Sequence, residues 1–277
     1  MNELSVLTYE LRQDILDIVM AGKGGHIGGD MSVIDALTVL YFKIMNVSPD
    51  NCEDPDRDYF IMSKGHSVEA LYAVLAKKGF LEKEDILKRF SKFQSPYIGH
   101  PNNKLPGIEM NSGSLGHGLA VSVGMALAGK RSCRPYRVYT VMGDGEQAEG
   151  SVWEAAMAAA NYGLDNLCAT VDRNRLQISG GTEDVMKLDQ LTAKYEAFGW
   201  NVISVEDGND CTQLEEAYRQ AMQVKGKPSV VIANTVKGCG STVMENKAQW
   251  HHKVPTAEEY EMICQDFLTR KENLLHA

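Results

Sequence analysis

The sequence predicts an α/β fold: a doubly wound, mainly parallel sheet with helices on both faces. Apolar segments of strand length alternate with amphipathic helical segments through the second half of the chain. Each strand is followed by a helix, and such crossovers bring consecutive strands into parallel alignment. The strands are continuous apolar runs, such as residues 230–232, which is typical of strands covered on both faces.

The bounds of the individual helices and strands are predicted from the spacing of apolar residues and from the positions of glycine and proline. The first helix is predicted from Leu4, Leu7, Leu11, Ile15 and Ile18, which recur at helical steps. A glycine-rich loop at 22–29 and proline-containing loops at 47–58 and 91–112 separate the early elements. The predicted strands are 58–63, 136–142, 166–172, 201–206 and 229–235. The other predicted helices are 31–45, 66–78, 81–90, a buried one over 119–128, 152–162, 188–198, 211–224 and a last one after 256.

Composition excludes several classes of protein. The 277 residues are 44% apolar and 23% charged, which is ordinary for a globular protein and excludes a disordered one. A formal charge of −9 argues against nucleic acid or an anionic membrane as the main partner. The charged N-terminal segment excludes a secretory signal, and the apolar stretch 119–128 is too short to span a bilayer. Six cysteines without CxxC spacing suggest free thiols and a cytoplasmic location.

The chemistry is predicted at the ends of two strands. Gly143, Asp144 and Gly145 follow one strand, and Asn174 lies 30 residues later, after the next strand. Ligands of parallel α/β sheets bind outside the carboxyl ends of strands, where glycines let the main chain approach a phosphate. A carboxylate, an amide oxygen and a main-chain carbonyl suit Mg²⁺ or Ca²⁺. The alternative is a tight turn capped by Asp144 and an unrelated surface turn at Asn174.

Six segments resemble the diphosphate-binding part of transketolases, in the same order along nearly the whole chain. A GDG sequence followed some thirty residues later by an asparagine turn resembles the thiamine diphosphate (ThDP) signature, and the other segments narrow the resemblance to transketolase. The segments are GKGGHIGGDMSVIDAL from Gly22, SKGHSVEALYAVL from Ser63, YIGHPNNKLPGIEMNSGSLGHGLA from Tyr97, GDGEQAEGSVWEA from Gly143, DRNRLQISG from Asp172 and KAQWHHKVP from Lys247.

The resemblance implies roles for individual residues. Asp144 and Asn174 would bind the metal through side chains and Leu176 through its carbonyl. The cofactor would also contact His66, His251, Gly143, Gly145 and the segment Gly113, Ser114 and Leu115. His26 and His100 would bind the donor sugar, and His26 and His251 would exchange protons. Glu149, also in the cofactor set, and Glu154 would lie near a subunit interface. Whether His251 or its neighbour His252 faces the site stays open.

The resemblance covers only one of the three transketolase domains. We therefore expect residues 1–277 to form a single diphosphate-binding domain, with a lid loop at about 237–255 and a C-terminal helix. The glutamate that activates the aminopyrimidine of ThDP belongs to the second domain of the family. The implied protein is thus the N-terminal subunit of a split transketolase of the pentose phosphate type, dependent on ThDP and Mg²⁺ (or Ca²⁺). Its partner would be a pyrimidine-domain subunit, in a symmetric heterotetramer; a fragment of a longer chain is the alternative.

Other functions remain as alternatives. A component of a ThDP enzyme that uses a branched or sulfonated ketose belongs to the same class. A 1-deoxyxylulose-phosphate synthase or a component of a 2-oxo acid dehydrogenase fits the histidine segments less well. A nicotinamide-dependent oxidoreductase would need GxGxxG after its first strand, and residues 113–118 have the wrong spacing. A non-catalytic relative would have no need of the Asp144 and Asn174 pair.

Overall fold

The computed structural model describes residues 3–276 and has a five-stranded parallel sheet at its centre. The strand order is β1-β2-β3-β7-β6, and a small antiparallel hairpin, β4-β5, lies outside the sheet. The strands are β1 (Tyr59–Met62), β2 (Val138–Gly143), β3 (Leu167–Asp172), β4 (Leu176–Gln177), β5 (Gly180–Gly181), β6 (Asn201–Val205) and β7 (Ser229–Ala233). The five sheet strands are those that the sequence predicts, with ends displaced by at most two residues.

Ten α-helices surround the sheet within the described residues. They are α1 (Glu3–Gly22), α2 (Ile27–Val39), α3 (Val68–Lys78), α4 (Lys83–Arg89), α5 (His117–Arg131), α6 (Gly150–Asn161), α7 (Thr182–Val185), α8 (Leu191–Ala197), α9 (Cys211–Gln223) and α10 (Ala257–His276). None of the helices in residues 3–276 is long and apolar enough to cross a membrane.

The helices form two layers because alternate strand residues point to opposite faces. Along β2, Tyr139 and Val141 join the core beneath α1, α2, α3 and α9, whereas Val138 and Met142 join the core beneath α5, α6 and α8. The predicted doubly wound α/β fold is therefore confirmed.

Helix α2 begins earlier than the sequence predicts. The glycines at 28 and 29 indicate a loop, but both lie in the first turn of the helix. A Cβ atom at Gly28 would lie 2.5 Å from the carbonyl oxygen of Trp250, and one at Gly29 would lie 2.8 Å from Ser67 Oγ. These glycines therefore serve close packing. At its other end the helix continues as one π-helical turn, Leu40–Ile44.

The C-terminal helix begins as predicted. The main-chain N–H of Thr256 donates to Glu259 Oε2 (2.9 Å), and the N–H of Glu259 donates to Thr256 Oγ1 (3.2 Å). This reciprocal pair is a capping box, which satisfies two donors at the helix start.

Candidate functional site

A cavity of about 590 Å³ opens at the carboxyl edge of the sheet. Gly143 at the end of β2 pairs with Asp172 of β3, and Asp172 pairs with Ala233 of β7, so three strand ends meet there. The predicted site residues that line the cavity are His26, His66, His100, Gly113, Leu115, Gly143, Asp144, Gly145, Glu149, Asn174, Leu176 and His251. Ser114 is exposed and stands outside the lining, and Glu154 is exposed on α6.

Asp144 connects the loops that follow β2 and β3. Its Oδ1 accepts the N–H of Gly145 (2.8 Å). Its Oδ2 accepts the N–H of Arg175 (2.6 Å) and Nη1 of Arg173 (3.1 Å). Burial raises the pKa of Asp144 and the nearby Asp172 charge adds to the effect, whereas Arg173 and the two N–H donors lower it.

Asn174 and Leu176 present further oxygens to the same cavity. Asn174 Oδ1 accepts the N–H of Leu176 (3.1 Å), and Asn174 Nδ2 donates to Asp172 Oδ2 (3.1 Å), which fixes the amide orientation. The Leu176 carbonyl already accepts a hydrogen bond from a cation, the Lys237 ammonium (3.0 Å). No group of three or more His, Cys, Asp or Glu within residues 3–276 is arranged to hold a metal. A hard cation here would thus depend on carboxylate, amide and carbonyl oxygens together.

Four histidine rings gather around that of His26, which makes a cluster of five. The distances from the His26 ring centroid are 5.3 Å to His66, 6.2 Å to His100, 5.6 Å to His251 and 4.7 Å to His252. His66 and His251 stack on each other at 5.4 Å. Four of these residues are predicted site residues, and His252, exposed and next to His26, joins the cluster as well.

The half-buried imidazoles of His26, His66 and His251 are neutral near pH 7. Burial lowers the pKa of His26 to about 4 and that of His251 to about 3, and neighbouring cationic and histidine groups add to both effects. Burial also holds the pKa of His66 well below its usual value. His251 Nδ1 lies 3.0 Å from Lys237 Nζ. Because the ammonium can only donate, Nδ1 accepts and the proton of His251 is on Nε2. Nδ1 of His26 is buried without a hydrogen-bond partner among the described residues.

Positive charge at the cavity comes from two buried lysines that sequence reasoning missed. Lys64 pairs with Asp172 and donates to the Gly29 carbonyl (3.1 Å). Lys237 is the second, and burial beside Lys64 lowers its pKa to about 8. Asp172 also accepts from Ser32 Oγ (2.6 Å), and Lys64 lowers its pKa despite complete burial. Lys64 and Asp172 lie inside two of the segments that resemble transketolase, two residues before His66 and Asn174 respectively. This closeness to a predicted site residue is the sequence signal that could have identified them.

Glu146 is a second buried acid that sequence reasoning did not place. Its carboxylate accepts the N–H groups of Gly116 (2.7 Å) and Gly143 (2.9 Å) and the hydroxyl of Ser63. It therefore joins the loops that follow β1 and β2 to the glycine loop before α5. All its hydrogen bonds are internal, so Glu146 shapes the cavity wall.

The arrangement is suited to an anion that carries a hard cation. The cavity lining combines carboxylate, amide and carbonyl oxygens with buried ammonium groups and neutral imidazoles. Diphosphate groups bound with a divalent ion have this chemistry.

Comparison with known proteins identifies the family. The profile described as "Transketolase, thiamine diphosphate binding domain" matches residues 5–269. The chain belongs to this transketolase family. The family resemblance predicted from the sequence is thereby confirmed, together with the thiamine diphosphate-binding type of fold. A transketolase-type transferase is the class of enzyme that this membership supports.

Similar proteins include some that are named as transketolase subunits. A protein of Phocaeicola vulgatus, named as one of the subunits of an apulose-4-phosphate transketolase, is 49% identical over 95% of this chain and 93% of its own length. One of a Clostridium species, named "6-deoxy-6-sulfo-D-fructose transketolase subunit SqwG", is 42% identical over 84% of this chain and 85% of its own length.

Solved transketolases share the fold over part of their length. The enzyme of Leishmania mexicana superposes with a TM-score of 0.85 at 28% identity, over 99% of this chain and 45% of that one. The enzyme of Campylobacter jejuni gives 0.89 at 28% identity, over 98% and 43%. The chain thus spans less than half the length of these transketolases.

Proposed function

We propose that this chain is the diphosphate-binding subunit of a two-component transketolase. The enzyme would move a two-carbon ketol unit from a ketose phosphate to an aldose phosphate, with ThDP and Mg²⁺. The observation that carries the proposal is the oxygen set of Asp144, Asn174 and Leu176 in a cavity that buried lysines and neutral histidines surround.

The residues present fit the cofactor. Asp144 and Asn174 would bind the metal through side-chain oxygens, and Leu176 through its carbonyl; Ca²⁺ would fit the same ligands. His251, with its proton on Nε2, and His66 would donate hydrogen bonds to the diphosphate. When bound, ThDP supplies the carbanion chemistry of ketol transfer.

The sugar would enter beside His26 and His100. His26 keeps one buried nitrogen that has no hydrogen-bond partner among residues 3–276, which costs free energy unless a ligand satisfies it. A neutral imidazole can accept a proton from a sugar hydroxyl and return it. His100 is half-buried and lies against Gly113. Because Gly113 would contact the aminopyrimidine, His100 would lie beside both the cofactor and the donor sugar. The loop 237–255 would act as a lid, since it places His251 over the cavity.

A partner subunit would complete the site. Glu146 is held by internal hydrogen bonds and Glu149 is exposed, so neither is placed to activate the aminopyrimidine. Exposed apolar side chains lie on the neighbouring helices: Val121 of α5 is 38% exposed and Met157 of α6 is 60% exposed. We place the pyrimidine-domain subunit on this face, next to Glu149 and Glu154, in a symmetric heterotetramer.

A branched ketose phosphate is a second candidate donor. The 49% identity to a protein named for apulose-4-phosphate supports it, because that similarity extends over 95% of the chain. Assays with apulose-4-phosphate and with a linear ketose phosphate in parallel would separate the two donors.

A cytoplasmic location suits the six cysteines, each of which is a free thiol in the structure.

The experiment that tests the function is a reconstitution. The purified chain is assayed with ThDP, Mg²⁺, donor and acceptor, with and without a pyrimidine-domain transketolase subunit from the same organism. We expect no turnover by the chain alone, because a missing acid-base partner costs about 10²–10⁴ in rate. Full turnover without the partner would contradict the split-subunit proposal, and no turnover with it would contradict the assigned activity.

A further inference from the structure

Two carboxyl groups lie fully buried beneath the histidine cluster and outside the cavity lining. Asp30 is in the first turn of α2 and Glu69 in the first turn of α3, and both are 0% exposed. Asp30 Oδ1 accepts the N–H of Ala70 (3.1 Å). Among the donors of residues 3–276, none makes a well-aligned hydrogen bond to the second Asp30 oxygen or to either Glu69 oxygen. The two carboxyl groups instead face each other within hydrogen-bonding reach.

No cation neutralises this pair. The structure places no salt bridge on Asp30 or Glu69 in the described part of the chain. The nearest ammonium groups have other partners: Lys64 pairs with Asp172, and Lys237 donates to the Leu176 carbonyl. Two carboxylates in contact and away from water cannot both ionise, because repulsion and desolvation oppose it. A proton therefore stays between them.

The pair joins the two helices that begin at the site. His26 directly precedes α2, and His66 lies in the turn Gly65–Ser67 that leads into α3. The Glu69 carboxyl packs against the residue before His26, since a Cβ atom at Gly25 would lie 2.7 Å from Glu69 Oε1. Asp30 reaches the start of α3 through the N–H of Ala70.

We propose that Asp30 and Glu69 are positioning residues, which hold the first turns of α2 and α3 together through one shared proton. The shared proton thereby sets the separation of His26 and His66. In assigning His66 to the cofactor and His26 to the donor sugar, the inference rests on the proposed function.

The electrostatics of the pair agree with this geometry. Burial raises the pKa of Asp30 to about 7, and burial together with the adjacent Asp30 holds the pKa of Glu69 well above its usual value. The groups that face the pair are the main-chain N–H of His26, Lys64 from the turn before α3 and Lys237 from the lid loop, and each favours the ionised form. The stability from a raised carboxyl pKa is complete below about pH 4 and is lost as the pH rises through about 7.

Thermal unfolding against pH tests the shared proton. Glu69→Gln keeps the shape and supplies a permanent donor to Asp30, so the variant needs no proton. We expect the melting temperature of the unchanged chain to fall relative to Glu69→Gln as the pH rises from about 6 to 9. Glu84→Gln, an exposed acid in the first turn of α4, is the matched control and should follow the unchanged chain.

A second readout detects the proton directly. Near pH 6 the infrared spectrum of the chain should show a protonated carboxyl band that Glu69→Gln and Asp30→Asn both remove. Parallel unfolding profiles for the chain and Glu69→Gln, or a spectrum that neither substitution changes, would overturn the shared proton.

Cofactor binding tests the positioning role. Calorimetry with ThDP and Mg²⁺ near pH 6 should give Glu69→Gln an affinity within about twofold of the unchanged chain, and Glu69→Ala about tenfold weaker binding. Equal affinities for the two variants would overturn the positioning role. If the unchanged chain binds no ThDP, the proposed function fails, and the unfolding and infrared results still decide the shared proton.

Discussion

At Asp144, metal binding and local structure depend on the same carboxylate. It accepts two main-chain N–H groups and faces the buried Arg173 guanidinium. Asp144→Ala should abolish Mg²⁺-dependent ThDP binding, because it removes the only carboxylate of the proposed cation site. It should also lower the free energy of unfolding by about 1–3 kcal/mol, since buried donors lose their acceptor.

Calorimetry below the melting temperature of the variant measures the first effect, and denaturant unfolding the second. Asp50→Ala, an exposed aspartate in the turn Pro49–Asn51, is the control for both. Undiminished ThDP binding by the Asp144 variant would remove this residue from the metal site.

The positions of His66 and His100 predict different kinetic effects. His66 packs against both His26 and His251, whereas His100 lies against Gly113. We expect His66→Ala to weaken ThDP binding about tenfold or more. His100→Ala should leave ThDP affinity nearly unchanged while it raises the donor KM and lowers kcat/KM.

Titration calorimetry and steady-state assays of the reconstituted enzyme separate the two effects. His276→Ala, exposed near the end of α10, controls for loss of a histidine away from the site. A common profile for the His66 and His100 variants would contradict this division of roles.

Side chains proposed to contact a ligand were easier to predict than buried side chains that hold other side chains or loops in place. Asp144 and Asn174 follow strands, so topology alone brings them to one edge of the sheet. Lys64, Asp172 and Glu146 are buried and hold one another or the loops. Their role depends on which partner they meet in space, which spacing along the chain does not specify. The gathering of five histidine rings depends in the same way on tertiary packing.

Among the elements, strands were predicted better than the start of α2. A buried strand is a short apolar run, and the run itself marks both ends. At α2 the sequence GHIGG reads as a loop because glycine is a weak helix former. The preference is overridden by contacts with Trp250 and Ser67, both distant in sequence.

The contact between α2 and the lid loop gives a prediction for Gly28. A Cβ atom there would meet the Trp250 carbonyl at 2.5 Å, so Gly28→Ala must displace the lid loop or the helix. We expect a loss of about 1–3 kcal/mol in the free energy of unfolding, typical of overpacking, together with weaker ThDP binding.

Gly24→Ala is the matched control, since a Cβ atom at Gly24 would meet nothing within 4 Å. Denaturant unfolding and calorimetry on both variants provide the comparison. Equal stability and affinity for the two would show that the helix and the lid loop are not packed this closely.

For the whole molecule, the alternation of strands and helices was sufficient to predict the layers and the parallel sheet. The hairpin β4-β5 and helix α7 were not predicted, because the hairpin has two residues per strand and carries no periodic pattern. The chain spans less than half the length of the solved transketolases of Leishmania mexicana and Campylobacter jejuni.

Assembly with the partner is the prediction at this scale. Met157 is 60% exposed on α6, so a charge there is tolerated by the isolated chain but not in an apolar interface. Met157→Lys should prevent co-elution with the pyrimidine-domain subunit in size-exclusion chromatography and leave the melting temperature of the chain nearly unchanged.

Met262→Lys is the control, because Met262 is similarly exposed, at 53%, on α10. It should assemble normally. Normal assembly of the Met157 variant would place the interface elsewhere on the surface.

The contact of Gly28 with Trp250 also determines when the cavity can form while the chain is being translated. Helix α2 leaves the ribosome well before the segment Ala248–His251 that packs on it. Domains generally form from their N-terminal side as the chain emerges. Until Trp250 emerges, the first turn of α2 is uncovered and His251 is missing from the cavity wall. A growing chain therefore cannot complete the cavity wall before the segment Ala248–His251 has left the ribosome.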